Sequence, residues 1–108
     1  MIAVLFEATL SPQKQDRYFS LAAQLKPFLT EVEGFISIER FESLTTPGKV
    51  LSLSWWKDEQ AVLAWKKNMR HQQAQAEGRA SVFATYQIRV AELIREYSFT
   101  AQEGIHHG

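Results

Sequence analysis

The sequence predicts an α+β domain of ferredoxin-like order, β-α-β-β-α-β, built on an antiparallel sheet. Three observations carry that expectation. Alternating apolar stretches of strand length open the chain, flank a Pro-Gly turn in its middle and close it. Two stretches with helical spacing lie between them. The 108 residues, 45% of them hydrophobic, suit one core.

The elements follow in order. Residues 1–9 place Ile2, Val4 and Phe6 on one side and Ala3, Leu5 and Glu7 on the other. Both faces are largely apolar, so the sheet is expected to be covered twice. Ser11 and Pro12 signal a helix start, a hydroxyl at the N-cap and proline at the first helical position. Tyr18, Leu21, Ala22, Leu25, Phe28 and Leu29 then form a helical stripe for the sheet. Pro27 within it predicts a kink or break near Lys26. After Gly34 a second strand, Phe35 to Glu42, sets Phe35, Ser37, Glu39 and Phe41 against Ile36, Ile38, Arg40 and Glu42. Pro47-Gly48 turns the chain into a third strand, Val50 to Trp56. One of its faces, Leu51, Leu53 and Trp55, is aliphatic and aromatic. The other is small and hydroxylated, Val50, Ser52 and Ser54, with Trp56 at its end.

Asp58 caps the second helix and Glu59 places negative charge in its first turn. Val62, Met69, Gln72 and Ala76 lie within about 60° of Trp65 on the helical wheel and form the docking stripe. His71 falls about 120° from Trp65, on the flank. Gly78 ends the helix. The alternation from Ala80 to Phe99 predicts one long closing strand. A strand from Tyr86 to Phe99 spans on the order of 45 Å, and its far end needs a partner. On this strand Arg89 and Arg95, with Glu92 and Glu96, are candidates for pairing at a dimer interface. Residues 1–99 form the domain and 100–108 a flexible polar tail holding His106 and His107.

Twelve basic residues balance twelve acidic ones, so no electrostatic footprint favours nucleic acid or an anionic membrane. The absence of cysteine excludes disulfides, iron–sulfur clusters, thiolate zinc sites and a cysteine nucleophile. No apolar run approaches the ~20 residues that span a bilayer, and the first residues lack a basic leader region, so a cytoplasmic protein is expected. There is no G-x-S-x-G elbow and no glycine-rich phosphate loop. A small or apolar ligand remains, in a cavity between helices and sheet whose candidate lining is Trp65, Phe83 and Tyr86. The plainer reading is that these aromatics fill the core. His71 is a candidate base or a half-exposed helix histidine, and Arg79 holds an anionic group or closes the helix end. Tyr86 offers its hydroxyl to a substrate oxygen or to the rim, while Lys66, Lys67 and Arg70 read as a solvated face. With both helices on one side, the other sheet face needs a cover, and a twofold dimer supplies it.

The segments SWWKD, AVLAWKKNMRHQQAQAEGR and VFATYQIRVAELIREY together resemble the antibiotic biosynthesis monooxygenase family of dimeric α/β-barrel proteins, over about residues 1–99. The pattern W-x5-H-x2-A-x3-G-R falls at Trp65, His71, Ala74, Gly78 and Arg79. The resemblance implies one of two chemistries: oxidation of a polycyclic aromatic molecule by O2 without a cofactor, or binding of haem through a helix histidine and its degradation with help from a Trp and an Asn. It implies His71 and Trp65 as catalytic residues, with His71 the haem ligand in the second case. Tyr86, Phe83, Arg79 and Trp56 then contact substrate, and no further metal site is called for. Glu7 stands nearest to where haem-degrading relatives carry the Asn of the first strand, a departure from the second chemistry. The implied function is a homodimeric monooxygenase for an aromatic or porphyrin-like small molecule. The alternative is a non-catalytic dimeric small-molecule-binding or stress-associated protein.

Overall fold

A computed structural model of the chain describes residues 1–75 and 83–101, with side chains described for 1–68 and 85–101. The elements are β1 (Ile2–Leu10), a single 3-10 turn (Pro12–Lys14), α1 (Gln15–Thr30), β2 (Phe35–Glu42), β3 (Lys49–Trp56), α2 (Glu59–Gln75) and β4 (Phe83–Glu92). The strands form one antiparallel four-stranded sheet in the order β2-β3-β1-β4. This is the expected ferredoxin-like arrangement.

Directly opposed residues of an antiparallel pair share a face, so the register sorts the sheet. Ile2, Val4, Phe6 and Ala8 of β1 lie opposite Trp56, Ser54, Ser52 and Val50 of β3, and opposite Glu92, Val90, Ile88 and Tyr86 of β4. Both core clusters draw their strand residues from this face. One joins Ala8, Leu10 and Val50 to Tyr18 and Leu21 of α1. The other joins Trp56, Val4 and Ile38 to Leu29 of α1 and to Ala61, Val62 and Trp65 of α2. The small hydroxylated side of β3 is therefore the one beneath the helices, where Val50, Ser52, Ser54 and Trp56 are all buried. Short side chains there let the helix backbones come close to the sheet.

Several local expectations change. Ser11 makes no side-chain cap, and Pro12 opens a 3-10 turn in place of the first turn of α1. The helix continues through Pro27 to Thr30 without interruption, and Thr30 Oγ1 donates to the Pro27 carbonyl at 2.9 Å. Of the α1 stripe, Phe28 is half exposed while Tyr18, Ala22 and Leu29 are buried. In β2 a bulge at Ile36 moves Phe35 onto the helix face beside Ile38 and Arg40. The long closing strand is shorter than its alternation: regular pairing ends at Glu92, because β1 begins at Ile2 and gives β4 only one bond more, from Leu93 N–H to the Met1 carbonyl at 3.0 Å. Beyond it Ile94, Tyr97 and Phe99 stand 86%, 86% and 90% exposed. The expected cap of α2 is present, with Asp58 Oδ1 accepting from the Ala61 N–H at 2.9 Å. Met69, Gln72 and Ala76 of its stripe, Gly78, and the tail histidines His106 and His107 lie outside the described residues or side chains.

The opposite face carries Ala3, Leu5, Leu51, Leu53, Trp55, Phe41 and Ala91, together with Ser37, Glu39, Lys49, Glu7, Gln87 and Arg89. Arg89 Nη1 donates to Glu7 Oε2 at 2.9 Å and Arg89 Nη2 to Gln87 Oε1 at 2.7 Å, while Lys49 Nζ lies 3.5 Å from Glu7 Oε1. Arg89 thus pairs with Glu7 of β1 within its own chain. The Arg89 hydrogen bond, and then the Lys49 charge, hold the Glu7 carboxyl below its ordinary value.

Gly34 fixes the approach of α2. Its φ is +88°, a Cβ there would meet the Ala61 Cβ at 2.7 Å, and its carbonyl accepts from the Lys57 N–H at 2.7 Å. Gly34→Ala should therefore cost about 2 kcal/mol or more in urea unfolding; an unchanged midpoint would contradict the close approach. The Glu7 cluster gives an acid limb. A depressed folded value means that its stabilisation is present above the unfolded value of 4.5 and is lost as pH falls through the folded value. Glu7→Gln should flatten the fall of stability with pH in that range, and parallel curves for the two proteins would remove Glu7 from it.

Candidate functional site

The cleft begins at a buried aromatic assembly. Trp56, 1% exposed, donates its indole N–H to Ser54 Oγ at 2.9 Å, two residues back on the same face of β3. A strand places residues i and i+2 on one side, so this bond follows from the alternation itself. Phe35 meets Trp56 edge-on, with ring centroids 5.2 Å apart. Trp65 of α2 stacks on Trp56 at 6.5 Å and 30°. Trp56 therefore backs Trp65 within the core, and Trp65, half-buried, forms the outer surface of the pair.

The helices cover β1 and β3 but leave β4 open. On the helix-facing side Tyr86, Ile88 and Val90 remain 61%, 53% and 51% exposed. Tyr86 stacks on Phe6 with centroids 5.6 Å apart and planes at 21°. The result is an exposed apolar strip, Tyr86, Ile88 and Val90 of β4, beside Val4 and Phe6 of β1 on the same sheet face, with Trp65 packed against the cluster that holds Val4; this surface is the candidate cleft. Side chains of this type bind by desolvation and stacking and select flat, apolar molecules. β1 presents only Ile2, Val4, Phe6, Ala8 and Leu10 to this side. Glu7 points to the other face. An open depression lined by Glu7, Ala8, Thr9, Lys49, Thr85, Tyr86 and Gln87 takes most of its lining from that other, charged face and reaches Tyr86 at the strand edge.

Of the residues singled out in the sequence, the structure packs Trp65 against Trp56, stacks Tyr86 on Phe6 on the same face of the sheet, and sets Trp56 behind Trp65 with no surface of its own. His71 lies on α2, 6 residues after Trp65, and Phe83 lies opposite Leu10 at the start of β4, but the side chains of both are outside those described, and Arg79 is outside the described residues. Phe6, Ile88, Val90 and Ser54 were not singled out. The alternation of β1 already groups Phe6 with Ile2 and Val4, but which face of β4 joins them depends on the β1–β4 register. Among the described residues no group of acidic or histidine side chains is set to hold a metal ion, and no helix is long and apolar enough to cross a membrane.

The profile of the antibiotic biosynthesis monooxygenase family matches residues 1–77. The chain is 40% identical over 93 residues to the jasmonate monooxygenase ABM of Pyricularia oryzae, an alignment covering 86% of this chain and 43% of that protein. It thus spans less than half the length of that relative. It is 26% identical to the uncharacterized protein YqjZ of Bacillus subtilis, over 90% of this chain and 82% of the other. In structure it is similar to the haem degrader MhuD of Mycobacterium tuberculosis, solved with two haems in its active site, with a TM-score of 0.70, 14% identity and coverage of 91% and 100%. At that identity the likeness concerns the fold.

Ser54 tests the aromatic assembly. Ser54→Ala leaves the buried Trp56 N–H without its acceptor and should cost about 1–3 kcal/mol in urea unfolding, whereas Ser54→Thr, which keeps an oxygen, should cost less. Equal stability of Ser54→Ala and the parent protein would show that the bond does not hold Trp56.

Proposed function

The chain belongs to the antibiotic biosynthesis monooxygenase family, and we propose that it uses O2 to oxidise a small, flat, largely apolar aromatic molecule in the helix-side cleft without a cofactor. The observation that carries this reading is the open apolar floor of Tyr86, Ile88 and Val90, on the sheet face that the helices otherwise bury, facing a Trp held by a second Trp. Such a cleft excludes water around a bound ring, while O2, itself apolar, partitions into it.

In a reaction without cofactor the substrate supplies the electrons. A ring methylene activated by a neighbouring carbonyl loses both hydrogens, one oxygen atom becomes its new carbonyl and the other leaves as water, so that CH2 and O2 become C=O and H2O. Two tasks then fall to the protein. A base takes the first proton, and His71 of α2 is the group proposed for it, since imidazole titrates near neutral pH. Trp65 and Tyr86 hold the ring between them, with Phe83 and Arg79 as further proposed contacts, and Trp56 acts by supporting Trp65.

Haem fits the described lining poorly. β1 offers no donor on this side, and Lys49 and Arg89 lie on the opposite face in the Glu7 cluster. Arg40, on the helix face, belongs to β2 at the far edge of the sheet, so propionates over β4 find no cation on the strands. No step of the proposed reaction passes through haem.

The working unit is proposed to be a homodimer in which the two uncovered sheet faces pack together. Leu5, Leu51, Leu53 and Trp55 on that face and the exposed Ile94, Tyr97 and Phe99 beyond β4 supply the apolar surface for it.

Anthrone, a tricyclic ketone with an activated methylene, is a suitable probe. Protein treated with chelator should consume one O2 per anthrone oxidised. Trp65→Ala should raise KM, and His71→Ala should lower kcat roughly 10²-fold or more with KM little changed. Binding of anthrone without O2 uptake would instead favour a passive binding protein, and turnover only after addition of haem would overturn the cofactor-free reading.

A further inference from the structure

We infer that in this homodimer Glu39 of one protomer pairs with Arg89 of the other, and that the pair selects which of two twofold arrangements the packed sheets adopt. The inference rests on the dimer proposed above.

The uncovered face is electrically polarised across its strands. Glu39 lies opposite Leu53, Leu53 opposite Leu5, and Leu5 opposite Arg89, so one row runs from an acid on the β2 edge through two leucines to a cation on the β4 edge. Glu39 has no hydrogen bond or ion pair among the described residues, and it is exposed. At the β4 edge stands Arg89, bound to Glu7 of β1, and Lys49 of β3 shares that carboxylate, so one acid faces two cations across β3, β1 and β4. Between the edges Ala3, Leu5, Leu51, Leu53 and Trp55 form the apolar centre.

Two copies of this face can meet about a twofold axis in two ways. With the axis across the strands, β2 lies against β2 and β4 against β4, and each seam brings like charges together. With the axis along the strands, β2 of each protomer lies against β4 of the other, and every row keeps its level. Glu39 then meets the partner's Arg89 at both seams. The apolar centre is buried either way, so hydrophobic area does not choose between them; charge does, because like charges across an interface cost more than opposite charges return. Packed sheets stand about 10 Å apart, a gap that a glutamate and an arginine side chain bridge together.

The test is sedimentation equilibrium of the full chain at low and high salt. A monomeric parent protein would reject the dimer itself, separately from the pairing. If the parent protein is dimeric, Glu39→Lys should weaken dimerisation roughly tenfold or more at low salt, since two seams each turn from attraction to repulsion. Added salt should then strengthen the Glu39→Lys dimer while weakening the parent dimer, because screening removes repulsion in one and attraction in the other. Arg89→Glu should weaken self-association likewise. An equimolar mixture of Glu39→Lys and Arg89→Glu chains should form heterodimers of near-parental affinity, because both seams are again of opposite charge. Circular dichroism verifies that each variant is folded, and if Arg89→Glu is not, the salt response of Glu39→Lys decides alone. A Glu39→Lys protein that dimerises like the parent with the same salt dependence, or a mixture with no preference for heterodimers, would overturn the pairing.

Discussion

The constraint on which the structure depends is that a sheet of four strands has two faces while the described residues form only two α-helices, both on one of them. The alternation of β3 decides which side they take. Val50, Ser52 and Ser54 are short enough to admit helix backbones, and Trp56 at the end fills the wider space where α1 and α2 meet. The opposite alternation, Leu51, Leu53 and Trp55, is too apolar to be left in water. One strand therefore specifies both the core beneath the helices and the apolar face proposed to meet a second copy.

The same geometry shapes the candidate site. α2 enters over Gly34, where the missing side chain lets Ala61 approach, and its next turns set Val62 and Trp65 on Trp56. Because β4 is the edge strand and lies beyond the reach of the packed helices, its inner face stays partly open. A cleft of this origin is apolar by necessity, since its floor is a continuation of the core. That favours chemistry in which substrate and O2 meet away from water, with few polar groups involved. Glu7, Lys49 and Arg89 are on the other side, held together by Glu7.

Much of this was legible in the residues. Element order, the Asp58 cap and the second strand's bounds at Phe35 and Glu42 follow from period and turn chemistry. The alternation of the last stretch runs past the length that β1 can pair. What was not legible depends on contacts between distant parts of the chain. The bulge at Ile36 reverses the face of Phe35, and no local pattern announces an extra residue. The core role of Trp56 depends on Ser54 accepting its indole N–H, and the proximity of Phe6 and Tyr86 on the β1–β4 register. Pro27 reads as a breaker, yet α1 runs on through it to Thr30. His71 was placed on the right helix by its spacing from Trp65, which fixes a wheel angle but not a hydrogen-bond partner.

The central claim, that the cleft supports oxygenation from O2 with electrons from the substrate alone, is tested most directly by isotope labelling. Metal-free protein given anthrone under ¹⁸O2 should yield a product carrying one ¹⁸O atom, with the second label in water and no reductant or haem required. A product whose new oxygen comes from solvent, or labelling that appears only when haem and a reductant are supplied, would contradict it.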